Sequence, residues 1–87
     1  MNRIGLRPIH PGEILSEEFL KPMGVTTAAL ARSLKEPEAE VSNVVRQQSG
    51  VSAGLAKKLS MFLNTTPEFW LNLQSSYDLR SAEIERG

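Results

Sequence analysis

With 87 residues, no cysteine and a formal net charge of zero, the chain is sized for one domain and excludes disulfides and thiolate metal sites. At 40% hydrophobic and 23% charged it has the composition of an ordinary globular protein, and its neutrality argues against non-specific coating of nucleic acid. The apolar runs are too short to span a membrane and no signal-peptide core opens the sequence, so a cytoplasmic protein is expected.

Residues 1–9 have no period and read as an arm, with Arg3 and Arg7 free for a phosphate or partner contact. His10-Pro11-Gly12-Glu13 marks a helix start, with proline in the first turn and an acid over the positive end of the dipole. Ile14, Leu15 and Phe19 give that helix its inner face, and Pro22 with Gly24 ends it. Thr26 or Thr27 caps a second helix that runs through Leu34, burying Leu30, Ala31 and Leu34. After the short break Lys35-Glu36-Pro37, a third helix runs to about Arg46 with Val41, Val44 and Val45 turned inward. Such a pair of short helices across a sharp turn is a helix-turn-helix pattern.

Gln47-Gln48-Ser49-Gly50 is a loop, and Ser52 caps a fourth helix with Leu55, Leu59, Phe62 and Leu63 on its inner face. Asn64 closes it in the left-handed conformation. Thr66-Pro67-Glu68 starts a fifth helix marked by Phe69, Trp70, Leu73 and Tyr77, and residues 80–87 read as a frayed, charged tail. No strand pattern and no internal repeat survives, so the chain is expected to be an all-α bundle: arm 1–9, helix-turn-helix domain 10–79, tail 80–87.

The charge is unevenly spread. Residues 10–20 hold Glu13, Glu17 and Glu18 with no cation, whereas 25–63 carry Arg32, Lys35, Arg46, Lys57 and Lys58 against Glu36, Glu38 and Glu40. The stretch with the basic bias therefore contains the helix-turn-helix. The outward face of its second helix is Glu38, Ala39, Ser42, Asn43 and Arg46. Asparagine suits bidentate bonding to adenine, arginine reaches phosphate or guanine, and glutamate accepts only from a cytosine amino group. The helix N-termini at Thr26-Thr27 and Ser49 to Ser52 offer backbone N–H groups to phosphate. On spacing alone, a DNA-reading helix and a solvated bundle helix fit equally well.

His10, the single histidine, has no nucleophile or second histidine to work with, and one histidine among scattered carboxylates makes no metal site; no enzyme activity, cofactor or small-molecule substrate is expected. Phe69, Trp70, Leu71, Tyr77 and Leu79 encircle more than one face of the last helix, which points to a dimer interface as well as a core.

Taken together, these blocks resemble the HigA-type antitoxins of bacterial toxin–antitoxin modules, within the lambda-repressor-like helix-turn-helix proteins. The likeness rests on His10-Pro11-Gly12-Glu13 with Leu15, Glu18-Phe19-Leu20 and Pro22-x-Gly24, then Leu30-Ala31 with Leu34, and Leu55 with Leu59 and Phe62. It closes on Pro67-Glu68-Phe69-Trp70-Leu71-Asn72-Leu73-Gln74 and Tyr77-Asp78-Leu79. The resemblance implies a five-helix bundle that dimerises, binds double-stranded DNA at its own operator, represses its operon and neutralises an mRNA-cleaving toxin of HigB/RelE type. It places the recognition helix at 37–46, with Glu38, Ala39, Ser42 and Asn43 at base-reading positions. The chain departs from the family pattern at Lys35 and Gln47, where glycine is usual, and at Glu36, Glu38 and Glu40, where small, polar or basic residues are usual.

Two expectations follow. One is a dimeric, sequence-specific DNA-binding antitoxin, with specificity from Asn43 and Arg46 and much of its affinity from the helix N-termini and from Arg32, Lys35 or Lys57. The other is a toxin-neutralising or other protein-interaction module with weak or no DNA affinity, an orphan regulator if no toxin accompanies it. There Glu13, Glu17 and Glu18 present an acidic face to a basic toxin.

Overall fold

A computed structural model describes residues 7–86 as five helices, with no strand among them. Helix α1 begins with an α-helical turn, Pro11–Ile14, widens to a π-helical stretch, Leu15–Leu20, and closes with Lys21–Met23. Helices α2 (Thr27–Leu34), α3 (Glu38–Val45), α4 (Ala53–Leu63) and α5 (Pro67–Arg86) follow. The widening of α1 has a local cause. Pro22 has no N–H to give and its ring crowds the carbonyl four residues back, so the preceding turn opens and Lys21 N–H bonds to Ser16 O, five residues back.

Each start has the cap that its sequence offers. His10 Nδ1 accepts from Gly12 N–H at 2.9 Å, Thr26 Oγ1 from Ala29 N–H at 3.0 Å, Ser52 Oγ from Leu55 N–H at 3.2 Å and Thr66 Oγ1 from Phe69 N–H at 3.1 Å. Helix α3 is the exception. Its N-cap is Pro37, which makes no side-chain cap, and the first-turn acids Glu38 and Glu40 face the dipole instead.

The first four helices end alike, each on a residue with positive φ: Gly24 (66°), Lys35 (58°), Gln47 (65°) and Asn64 (58°). At Lys35, Glu36 N–H reaches Ala31 O at 3.0 Å and Lys35 N–H reaches Arg32 O at 3.2 Å, the reversed pair of bonds of a Schellman motif. Gln48 and Gln47 repeat it onto Asn43 O (2.8 Å) and Val44 O (2.9 Å). Lys35 and Gln47, the two departures from glycine, thus bracket α3 in a conformation that costs a side-chain-bearing residue about 1–2 kcal/mol. Set against the extra backbone entropy of glycine, Lys35→Gly and Gln47→Gly should each stabilise the domain by about 0.5–1 kcal/mol. In a thermal melt that is a rise of about 2–8 °C per substitution, and no rise at either site would refute it.

The core is Leu15, Leu20, Leu30, Ala31, Leu34, Val41, Val44, Val51, Ala56, Leu59, Leu63 and Trp70. Helix α2 packs on α3 and α4, α4 on α5, and α1 bridges α3 and α5. Two sequence expectations fail here. Phe62 is exposed, because α4 turns Ala56, Leu59, Ser60 and Leu63 inward and a small residue, Ala56, takes the close contact. Residues 80–86 are not a frayed tail: α5 runs unbroken to Arg86, with an Arg80–Glu83 pair at 3.7 Å on its surface. Val45 is only half-buried.

Candidate nucleic-acid interface

Helix α3 is held on one face and open on the other. Val41 and Val44 are buried, while Glu38, Ala39, Asn43 and Arg46 are exposed and Ser42 is half-exposed. Pro37 and Arg46 are its caps, so the expected helix 37–46 is found with its ends one residue inside.

Its C-terminal end and the loop that follows are held from two directions. Gly12 of α1 comes so near that a Cβ there would lie 1.9 Å from Val44 O. From α5, Gln74 Oε1 accepts from Val51 N–H at 2.8 Å, and Gln74 Nε2 donates to Asp78 Oδ1 at 2.9 Å. His10 sits between these straps, buried, its ring edge-on to Tyr77 with centroids 4.8 Å apart. Burial pushes its pKa below the ordinary value, against smaller opposite pulls from the Ser49 backbone and Asp78. The neutral ring is what its capping bond requires, since Nδ1 must be an acceptor. His10 is structural.

Of the expected contact residues, Asn43 and Ser49 come together in an open groove of about 540 Å³ between α3 and the start of α4, shared with Glu36, Glu40, Ser52 and Lys58. Lys35 and Lys57 line a second groove of about 600 Å³ with Lys58, Met61 and Phe62. Glu38, Ala39, Ser42, Arg46, Thr26, Thr27 and Arg32 line neither. Thr26 is the α2 cap, and Thr27 is half-buried as its first residue.

The acidic residues divide. Glu36 is paired with Lys58 of α4, a partner 22 residues away that local pattern does not announce. No ion pair among the described residues involves Glu38 or Glu40. On α1, Arg7 makes a two-pronged bond to Glu13 (3.0 and 3.1 Å), which holds that carboxyl below its usual pKa range, and Lys21 pairs with Glu17 at 2.7 Å. Arg7 is therefore engaged within the protomer, and two of the three acids of the expected toxin-facing set already have partners. Glu18 is exposed, and Arg3 lies outside the described residues.

The expected dimer set also divides. Trp70 is wholly buried, its Nε1 donating to Thr65 Oγ1 at 2.8 Å and its ring packed on Phe19 and Phe69, so it belongs to the core and cannot meet a second copy. Tyr77 packs on His10 and Leu71 is half-buried; Phe69 and Leu79 are exposed, Leu79 by 62%. Met61, 78% exposed on α4 beside Phe62, was missed. The only signal for it was that Met61 falls off the i, i+4, i+7 stripe of its helix.

Among the described residues no group of three His, Cys, Asp or Glu side chains is placed to hold a metal, and no helix is long and apolar enough to cross a membrane.

Five helices, with an exposed α3 set across a three-residue turn from α2, define a helix-turn-helix protein. No protein-family model matches the chain. Antitoxin HigA-1 of Vibrio cholerae is 45% identical over 80 residues, which cover 91% of this chain and 74% of that protein. Among solved structures, the Pseudomonas aeruginosa antitoxin HigA with the higBA promoter superposes with a TM-score of 0.90 at 48% identity, covering 93% of this chain and 88% of that one. Antitoxin GraA in complex with its operator superposes with a TM-score of 0.89 at 56% identity, covering 100% and 88%. The chain belongs to the HigA family of antitoxins.

Proposed function

We propose that this protein is a dimeric antitoxin that binds its own operator through α3, represses its operon in the cytoplasm and neutralises an mRNA-cleaving toxin of HigB/RelE type. The observation that carries the reading is the likeness, over at least 93% of the chain, to two antitoxins solved with promoter or operator DNA. The open face of α3 supports it. In this reading Phe69, Leu71 and Leu79, which the core does not enclose, supply the dimer surface, and two-fold pairing suits half-sites about 34 Å apart.

The test is a gel shift on DNA from just upstream of the gene, with scrambled competitor and a salt series. A specific shift with two chains per site supports the reading, and none defeats it. Asn43→Ala should lose about 1–3 kcal/mol of discrimination between operator and scrambled DNA. Arg46→Ala, as a phosphate contact, should instead weaken both alike and lower the salt slope by about one unit. Equal loss on both DNAs for Asn43→Ala would remove it from base reading.

Glu38 and Glu40, exposed at the start of α3, favour a second reading, a toxin-binding module with little DNA affinity. Co-purification with the product of an adjacent small basic reading frame, without an operator shift, is its signature.

A further inference from the structure

The ion pair between Glu36 and Lys58 joins the turn before α3 to the middle of α4, and it stands at the rim of the groove that also holds Asn43, Ser49 and Ser52. The Glu36 side chain is 22% exposed and that of Lys58 42%, so the acid is the more enclosed partner and the lysine side chain keeps an open side. Glu36 is also fixed through its backbone, since its N–H closes the end of α2 on Ala31 O at 3.0 Å. The point from which the acid reaches Lys58 is therefore set by the turn.

We infer that Glu36 sets the strength of DNA binding by withholding Lys58 from the phosphates. This rests on the operator-binding reading above. A duplex laid against α3 brings phosphate oxygens to the walls of the Asn43 groove, and Lys58 is the cation on that wall. A phosphate there must compete with a carboxylate that is already in contact and pre-positioned. Lys35 and Lys57, on the far side of Lys58, have no such competitor among the described residues. Lys58 thus drops out of the set of counterion-releasing contacts, and the fixed acid makes the protein bind all DNA more weakly than its count of cations suggests. Because the contact is to backbone and not to bases, the effect is independent of sequence.

The experiment is a salt titration of operator and scrambled DNA with the wild-type dimer and with Glu36→Gln, which keeps the side chain's shape. It is paired with acetylation of lysines read by mass spectrometry in free and DNA-bound protein. Glu36→Gln is expected to tighten both DNAs about fivefold near 0.15 M salt and to steepen the slope by about 0.9 unit, one added phosphate contact. DNA should leave the acetylation of Lys58 unchanged in the wild type and suppress it in Glu36→Gln. An unchanged slope overturns the inference, as does protection of Lys58 by DNA in the wild type. A steeper slope without new protection of Lys58 also overturns it, since Glu36 would then act through its own charge. Failure of the operator reading looks different: the wild type would show no preference for operator over scrambled DNA at any salt.

Discussion

Gly12→Ala is expected to destabilise the domain by about 3 kcal/mol, the upper end of what overpacking costs, and to lower the melting temperature by about 12–24 °C. The reason is the identity of the obstacle. The new methyl would stand 1.9 Å from Val44 O, a backbone atom inside α3 that no rotamer change can move. The start of α1 must retreat, and with it the His10 cap at 2.9 Å and the ring contact to Tyr77. A second readout separates this from simple loss of packing. Since α1 braces the C-terminal end of α3, the folded fraction of Gly12→Ala should bind operator more weakly than the wild type well below its melting point. A melt within about 4 °C of wild type would show that α1 has room that the structure denies it.

Trp70→Ala should cost more, about 3–5 kcal/mol, because it empties the largest fully buried side-chain site and strands the Thr65 hydroxyl. Against a total stability of about 5–15 kcal/mol for a domain, that removes a large share of the margin, and nearly all of it at the lower end of that range. Circular dichroism with a denaturant titration measures this directly. A folded, monomeric Trp70→Ala would return the residue to the dimer surface that the sequence suggested and the structure denies.

The features legible in the sequence are those whose cause lies within a turn of the residue concerned. Thr26, Ser52 and Thr66 cap helices because a hydroxyl two or three residues ahead of free N–H groups has little else to bond, and Asn64 tolerates the left-handed turn. The stripe Leu30, Ala31, Leu34 and its partner Val41, Val44 are local periodicities, so the helix-turn-helix was readable too. The misreadings arise from contacts made across the fold. Which side of α4 faces inward is decided by α2 and α5, which admit Ala56 and leave Phe62 outside. That Trp70 is core depends on where Phe19 of α1 arrives. The Glu36–Lys58 pair spans 22 residues, and the close approach at Gly12 requires knowing that α1 lies against α3. Three glutamates in a row looked alike as sequence; in space one is neutralised and two serve the dipole of a helix without a capping side chain.

The division of α3 into a held face and an open face has an evolutionary consequence. Val41, Val44 and Gly12 fasten the helix and Gln74 holds the loop after it at Val51, and none of them lies among Glu38, Ala39, Ser42 and Asn43. The open positions can change without loosening the scaffold, and if α3 reads the operator as proposed, exchanging them as a block is the economical route to a new one. On the proposed operator reading, duplicated modules in one genome would become insulated from each other by changes at those four sites, long before their folds diverged.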